Sequence, residues 1–202
     1  MLKNIVFDVG GVLLQSDKTE YLKKYITYPE DAVIVDKALF HSIERSQLDR
    51  GTIEKEKAFS QMLAKIPQRS REDAMRFYEA YMSNRKTTDG IVELVQTLKD
   101  NGYKLYVLSN FSLDFQSVIE ENKLHFFKLF DGVFVSSCYK MVKPEREIYQ
   151  AFLKKYGLNA EECLFIDDRA ENVEAALFAG MQGFHFAGNA SALQAFINAQ
   201  AV

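Results

Sequence analysis

The sequence has few cysteines and histidines and no excess of basic residues, so it lacks the marks of zinc-binding, disulfide-rich and nucleic-acid-binding proteins. Its only cysteines, Cys138 and Cys163, lack metal-site spacing, so we expect two free thiols in a reducing cytosol. The histidines, His41, His125 and His185, also lack ligand spacing and are expected to be ordinary polar or packing residues. A formal net charge of −3 provides no basic footprint, which argues against nucleic acid as a partner.

Long apolar runs are also missing, because no stretch approaches the length of a membrane span. The N-terminus enters a strand pattern at once and shows no signal-peptide layout. We therefore expect a cytoplasmic monomer or homodimer with no membrane partner. The 202 residues, 48% hydrophobic and 26% charged, fit one globular domain or one domain with a sizeable insertion.

Short apolar runs alternate with helical patterns at the two ends of the chain. The runs are 5–7, 105–108, 133–135, 164–166 and, more weakly, 183–186. Runs that are this short and apolar on both faces are typical of strands buried in a parallel sheet. The alternation of strand and helix predicts right-handed crossovers and an α/β fold with a doubly wound parallel sheet.

Helix signals separate these runs. One helix is predicted from apolar spacing at Ile91, Leu94, Val95 and Leu98, with Asn101 and Gly102 as its stop. Pro144 is suited to the first position of another helix, which Gly157 would end.

Residues 17–85 interrupt this rhythm and contain no convincing strand. Thr52 and Ser70 resemble helix N-caps, and the apolar residues around them have helical spacing. We predict a bundle of about four helices, inserted into an α/β core formed by residues 1–16 and 86–202.

Polar residues follow the predicted strands where each strand ends. They are Asp8 after the first strand, Ser109 and Asn110 after the second, Lys143 beyond the third, and Asp167 and Asp168 after the fourth. In open α/β sheets, ligands bind beyond the carboxyl ends of the strands. The sequence therefore predicts that an acid, a hydroxyl with an amide, a cation and an acid pair converge on one edge.

Each of these residues also has a structural explanation. Asp8 could satisfy loop amides, the Ser109-Asn110 pair could form a turn, Lys143 could be solvated, and the acid pair could cap a helix. These explanations do not account for complementary polar groups at all four ends. The chemical interpretation is favoured for that reason.

The combined set suits phosphate chemistry with a hard cation. Mg²⁺ prefers oxygen ligands, commonly one or two carboxylates with substrate phosphate and water. Asp8 and the acid pair could supply the carboxylates, while Lys143 and the Ser109 hydroxyl could bind the phosphoryl oxygens. One carboxylate could attack phosphorus and form an aspartyl-phosphate. Gly10 and Gly11 would let the backbone approach a metal or phosphate closely.

Four short motifs resemble those of the haloacid-dehalogenase-like hydrolase superfamily. They are FDVGGVL, VLSN, KPE and FIDDRAEN, and the resemblance covers essentially the whole chain. The helical insertion is similar to the cap that this superfamily places after its first strand. The runs KPEREIYQAFL and FIDDRAENVEAALFAGM are very similar to the branch of sugar-phosphate phosphatases that includes bacterial α-glucose-1-phosphate phosphatase.

The resemblance implies a role for each motif residue. Asp8 would be the phosphoryl-accepting nucleophile, and Lys143 would bind both phosphate and Asp8. Ser109 and Asn110 would bind the phosphoryl group. Arg50, in a turn of the cap, could contact an anionic or hydroxylated substrate, or it could be a solvated arginine beside a helix start.

The same resemblance implies a Mg²⁺ site. Its ligands would be the Asp8 carboxylate, the backbone carbonyl of Gly10, and Asp167, Asp168 or both. Asn172 would brace the acid-pair loop from the following helical turn.

Gly10 departs from the most common pattern of the superfamily, in which a second acid at this position protonates the leaving oxygen. The loss of a general acid costs about 10²–10⁴-fold in rate. The glucose-1-phosphate branch also tends to carry glycine here, so the departure does not exclude catalysis. Water, a substrate hydroxyl or a cap residue would have to supply the proton.

The leading prediction is a Mg²⁺-dependent phosphatase of a small phosphorylated metabolite, such as glucose 1-phosphate, that works through an aspartyl-phosphate. A dehalogenase or a phosphomutase is the first alternative. Metal-free dehalogenation gives no reason for the acid pair, and a mutase would need an acid at position 10. A weakened phosphatase kept as a binding or regulatory module is the second alternative, against which the intact nucleophile, lysine and acid pair argue.

Overall fold

A computed structural model describes residues 1–200 of the chain. The strands are β1 (Asn4–Phe7), β2 (Leu14–Gln15), β3 (Lys86–Thr87), β4 (Lys104–Ser109), β5 (Gly132–Val135), β6 (Cys163–Asp167) and β7 (Gln182–His185). Five of them form a parallel sheet in the order β5-β4-β1-β6-β7. These are the five strands that the apolar runs predict, so the predicted parallel sheet is confirmed.

Helices cover both faces of the sheet and form the whole of the insertion. They are α1 (Lys18–Tyr25), α2 (Ala32–Phe40), α3 (Ile43–Arg50), α4 (Lys55–Ala64), α5 (Arg71–Ser83), α6 (Ile91–Asp100), α7 (Phe115–Glu121), α8 (Ser136–Tyr139), α9 (Arg146–Tyr156), α10 (Ala170–Phe178) and α11 (Ala190–Gln200). Within residues 1–200, no helix has both the length and the apolar character that a membrane crossing requires.

The sheet is doubly wound because its strands are apolar on both faces. Ile5 and Phe7 of β1 pack into one core with the apolar face of α6. Val6, which points the other way, packs into a second core with Tyr149 and Phe152 of α9. Alternate residues of a strand point to opposite faces, so a continuous apolar run buries both.

Two of the predicted helix ends are confirmed, and two predicted starts are wrong. Gly157, at φ +64°, ends α9, but that helix begins at Arg146 and not at Pro144. α4 begins at Lys55, and the Thr52 hydroxyl donates instead to the Gln47 carbonyl at 3.3 Å. α6 ends at Asp100, just before the predicted Asn101 stop.

The insertion contains five α-helices, not four. Ser70 does precede α5, but its hydroxyl donates to Asp31 Oδ2 at 2.7 Å and does not cap the helix. An antiparallel ribbon joins the insertion to the core, with Leu14 opposite Thr87 and Gln15 opposite Lys86. We propose that this ribbon marks the boundary between a cap at 17–85 and a core at 1–16 and 86–202.

Candidate active site

An ion triad lies at the carboxyl edge of the sheet. Lys143 Nζ is 2.8 Å from Asp8 Oδ1 and 2.6 Å from Asp167 Oδ2. All three residues are buried. The structure thus brings together three of the predicted site residues. In the sequence, the nearest two of them are 24 positions apart and the farthest two are 159 apart.

Strand pairing fixes the two acids. β1 and β6 are neighbours, and their register places Phe7 opposite Ile166, one residue before each acid. The Asp8 backbone N–H continues the ladder by donating to the Ile166 carbonyl at 2.9 Å. Parallel pairing therefore sets Asp8 and Asp167 side by side at the strand ends.

Asn110 positions the lysine. Its side-chain Oδ1 accepts from the Lys143 N–H at 2.8 Å, and its Nδ2 donates to the Lys143 carbonyl at 2.9 Å. The side chain is committed to the Lys143 backbone by both ends of its amide. Ser109, at the end of β4, is buried and lines the cavity above Asp8.

Burial and charge act in opposite directions on this triad. Burial raises the pKa of Asp8 to about 6, against the lowering effect of Lys143 and with a further rise from Asp167. Burial alone would lower the pKa of Lys143, but Asp8 and Asp167 raise it above its usual value. The lysine is therefore held as a cation, and Asp8 is a buried carboxylate that a further positive charge would stabilise.

The two acids of the FIDDRAEN motif have different surroundings. Asp167 is fully buried and accepts from Lys143, from Asn172 Nδ2 at 3.0 Å and from the Arg169 N–H at 2.9 Å. Asn172, as predicted, braces this loop from α10. Asp168 is exposed, and its carboxylate forms no ion pair within residues 1–200.

These acids form an all-oxygen donor set. One carboxylate oxygen each of Asp8, Asp167 and Asp168 lies within 4.8 Å of the other two. The Asn172 Oδ1 atom is buried nearby with no hydrogen-bond partner in the described part of the chain. Hard oxygen donors in this number suit Mg²⁺, which takes one or two carboxylates together with water and phosphate.

Gly11, and not Gly10, is the glycine that the backbone requires. Gly11 has φ +75°, and a Cβ there would lie 2.3 Å from Asp168 Oδ2. A Cβ on Gly10 would meet nothing within 4 Å, and Gly10 has no positive φ. Gly11 therefore gives the Asp168 carboxylate its room, while the close approach of the Gly10 backbone to a metal or phosphate stays a prediction.

Arg50 lies elsewhere than predicted. Its guanidinium forms a bidentate ion pair with Glu145, in which Nη1 lies 2.9 Å from Oε2. It also donates to the Lys140 carbonyl at 3.3 Å. Arg50 is not among the residues that line the cavity. Its position does not support a substrate contact; it ties the cap to the KPE motif of the core.

A cavity of about 470 Å³ separates the triad from the cap. The cap contributes Asp49 and five side chains that the sequence analysis did not single out for this role: Lys18, Phe40, Arg45, Tyr81 and Arg85. The core contributes Phe111, Phe115, Val118 and Ile119. The i, i+3, i+4 spacing of Phe115, Val118 and Ile119 predicts one apolar helix face, but spacing cannot tell whether that face meets a sheet or a cavity.

Comparison with known proteins gives one family and a set of phosphatases. A family described as haloacid dehalogenase-like hydrolase matches residues 2–180. Sesquiterpene phosphatase astK of Aspergillus oryzae is 30% identical over 185 residues, covering 91% of this chain and 89% of that protein. Flavin mononucleotide hydrolase 1 of Arabidopsis thaliana is 31% identical over 108 residues, covering 54% of this chain and 43% of that protein.

A similar fold is seen in a crystal structure of a HAD family enzyme from Bacteroides thetaiotaomicron in complex with magnesium and inorganic phosphate. The TM-score is 0.70 at 22% identity, and the match covers 91% of this chain and 93% of that one. At this identity the match establishes the shared fold alone. The fold, the motifs and the site geometry all lead to the same family.

Proposed function

The chain belongs to the haloacid dehalogenase-like hydrolase family, and we propose that it is a Mg²⁺-dependent phosphatase that acts on a small phosphorylated metabolite through an aspartyl-phosphate. The observation that carries the proposal is the buried Asp8–Lys143–Asp167 triad beside the unpaired Asp168 carboxylate. The phosphatases among its relatives support the same reaction.

Asp8 is the proposed nucleophile. One carboxylate oxygen attacks phosphorus as the bond to the leaving oxygen breaks, which gives an acyl phosphate on Asp8. The leaving oxygen takes its proton from water, a substrate hydroxyl or a cap residue and departs as the alcohol. Water then hydrolyses the acyl phosphate and restores the carboxylate. Lys143 and the Ser109 hydroxyl bind the phosphoryl oxygens, and Asn110 holds Lys143 in place through its backbone.

The acid pair divides two tasks in this proposal. Asp168, with the Asp8 carboxylate and the Gly10 carbonyl, would hold the metal directly, because the Asp168 carboxylate forms no ion pair within residues 1–200. Asp167 orients Lys143, because its oxygens already accept from Lys143, Asn172 and the Arg169 N–H. Mg²⁺, when bound, would neutralise the charges of the carboxylates and of the phosphate.

The substrate is open to two proposals. A sugar phosphate such as glucose 1-phosphate rests on the motif resemblance to the sugar-phosphate branch. A phosphate ester of an apolar alcohol rests on the cavity walls and on the relative named as a sesquiterpene phosphatase. Dehalogenation is disfavoured because the exposed Asp168 carboxylate beside Asp8 has no use in a metal-free displacement.

Saturating Mg²⁺ is expected to raise the thermal unfolding midpoint of the wild-type protein. At about 100 times Kd the gain is about 2.7 kcal/mol, which corresponds to about 5–10 °C for a chain of this size. Chelation should remove both the rise and the turnover. Differential scanning calorimetry beside a phosphate-release assay measures both.

Asp168→Asn should abolish the Mg²⁺-dependent rise, and Asp100→Asn, an exposed site on α6, should keep it. Full turnover after exhaustive chelation would contradict the proposed metal requirement.

Gly10→Asp is expected to restore a general acid. In the wild type, kcat/KM should fall steeply as the pKa of the leaving alcohol rises from aryl to alkyl phosphates, because a poor leaving group needs protonation. The variant should gain about 10²-fold on alkyl phosphates and change little on aryl phosphates. The open space around Gly10 makes the substitution sterically acceptable.

The matched control is Gly11→Ala, which should lose activity on every ester because its Cβ displaces the Asp168 carboxylate. A flat leaving-group dependence in the wild type would mean that another group already donates the proton. Asp49 is then the residue to replace, because it is the cap carboxylate that lines the cavity, and burial raises its pKa.

A further inference from the structure

Two sets of apolar side chains, one from the core and one from the cap, form walls of the cavity above Asp8. Phe115, Val118 and Ile119 of α7 form the core wall, together with Phe111. Phe40 of α2 and Tyr81 of α5 form the cap wall. The nucleophile therefore lies at the base of a space with hydrocarbon on two sides.

The cap wall is held in a fixed arrangement. The rings of Phe40 and Tyr81 meet edge to face, with centroids 5.4 Å apart. The Arg85 guanidinium lies 4.4 Å from the centre of the Tyr81 ring, and Lys18 Nζ lies 5.0 Å from that of Phe40. Both rings are only partly buried, so they present surface to whatever enters the cavity.

Most polar groups on the cap side are already engaged. Arg45 binds both oxygens of Asp49, at 3.0 and 2.7 Å. Lys18 is ion-paired with Asp36 at 2.6 Å. The rings of Phe40 and Tyr81 and the apolar face of α7 offer no partners to a sugar, and each hydroxyl held against them without a partner costs free energy. A hydrocarbon group incurs no such cost and gains from leaving water.

The volume is larger than a phosphoryl group needs. About 470 Å³ lies within the range of ~300–1,000 Å³ typical of sites that enclose a whole small ligand. The space beyond the triad must then receive the part of the ester that departs.

We infer that the leaving group is an apolar alcohol, alkyl, prenyl or aryl, held between α7 and the Phe40–Tyr81 pair. The inference rests on the proposed phosphatase function and selects one of its two substrate proposals. Ile119 and Tyr81 are the specificity-determining residues, one on each wall, and neither contacts the reacting atoms.

The first test is a series of n-alkyl phosphates from ethyl to octyl, assayed with glucose 1-phosphate in saturating Mg²⁺. The leaving alcohols have closely similar pKa values, so chain length changes packing and leaves the proton requirement unchanged. We expect kcat/KM to rise about fourfold for each added methylene until the walls are filled. Glucose 1-phosphate, whose anomeric hydroxyl is a better leaving group than an alkoxide, is the reference for turnover and not for packing.

A flat alkyl series overturns the inference and leaves the phosphatase proposal intact. Hydrolysis of none of the esters overturns the phosphatase proposal itself. Alkylphosphonates, which cannot be hydrolysed, separate binding from turnover. They should raise the unfolding midpoint more as the chain lengthens, and equal shifts for ethyl- and hexylphosphonate would count against the walls.

Two variants test the walls themselves. Tyr81→Ser should lower the hexyl-to-ethyl ratio of kcat/KM about tenfold. Ile119→Phe should shift the best chain length to a shorter alkyl group, because the larger ring occupies part of the cavity. Ile43→Ser, on the exposed side of α3, is the control and should leave the ratio unchanged.

Unfolding midpoints verify that each variant is folded. A folded Tyr81→Ser with the wild-type ratio, together with a folded Ile119→Phe with the wild-type optimum, would reject the proposed contacts.

Discussion

Asp8→Asn should lower phosphatase turnover by about 10⁴-fold or more while leaving the fold intact. The amide has nearly the same shape as the carboxylate but cannot attack phosphorus. Lys143 keeps its 2.6 Å contact with Asp167, so no buried cation is left unpaired. Steady-state hydrolysis beside circular dichroism is the measurement.

Asp100→Asn provides the control for the chemical change alone. A folded Asp8→Asn protein with activity within tenfold of the wild type would eliminate the aspartyl-phosphate mechanism.

Asp8→Asn should also change how the stability of the metal-free protein depends on pH. The pKa of Asp8 in the folded protein, about 6, lies above its ordinary value of 3.8, so ionising Asp8 opposes folding. This penalty is absent below pH 3.8, develops as the pH rises to about 6, and is complete above that. Metal-free Asp8→Asn should therefore match or exceed the wild type in stability at pH 8, and the difference should shrink towards pH 4.

Lys143→Met should destabilise the metal-free protein by about 3–5 kcal/mol at pH 7. It leaves the buried carboxylates of Asp8 and Asp167 facing each other without the cation between them. Turnover should also fall by about 10²–10³-fold, because a donor to the phosphoryl oxygens is lost. Urea unfolding and steady-state kinetics measure the two effects.

Lys99→Met is the matched control, since Lys99 pairs with Asp131 at the surface and should cost less than about 1 kcal/mol. Adding Asp167→Asn to Lys143→Met removes one of the two stranded charges. The double variant should recover part of the stability and none of the activity. If Lys143→Met is as stable as the wild type, then Asp8 and Asp167 are not both buried carboxylates that depend on the Lys143 cation.

The site residues at the strand ends were predictable because parallel strands place their carboxyl ends at one edge. Once the apolar runs indicate β1 and β6, Asp8 and Asp167 are expected at the same edge of the sheet. The strand order, which the sequence does not reveal, makes β1 and β6 neighbours and brings both acids to one lysine. The sequence could not assign different roles to Asp167 and Asp168. That division depends on which side chain turns inward to Lys143 and Asn172, which is a property of tertiary packing.

The failures have the same origin. In the sequence, Arg50 has no evident partner within the cap turn. Its partner Glu145 is 95 positions away and contacts it only in the folded chain. The sequence alone does not distinguish Gly10 from Gly11, because the difference between them is the close approach of the Asp168 carboxylate to Gly11. The cavity walls were missed because helical spacing reports that a face is apolar and not what the face meets.

The β2–β3 ribbon has a consequence for how such an enzyme diversifies. The chain leaves the core and returns to it through paired strands, which neighbour each other at about 4.8 Å. Loop-closure entropy then adds only about 0.6 kcal/mol for each doubling of the intervening length. Segments of very different size can thus be grafted between Leu14 and Thr87 at little thermodynamic penalty. A lineage can exchange the whole insertion while Asp8, Lys143 and Asp168 stay unchanged.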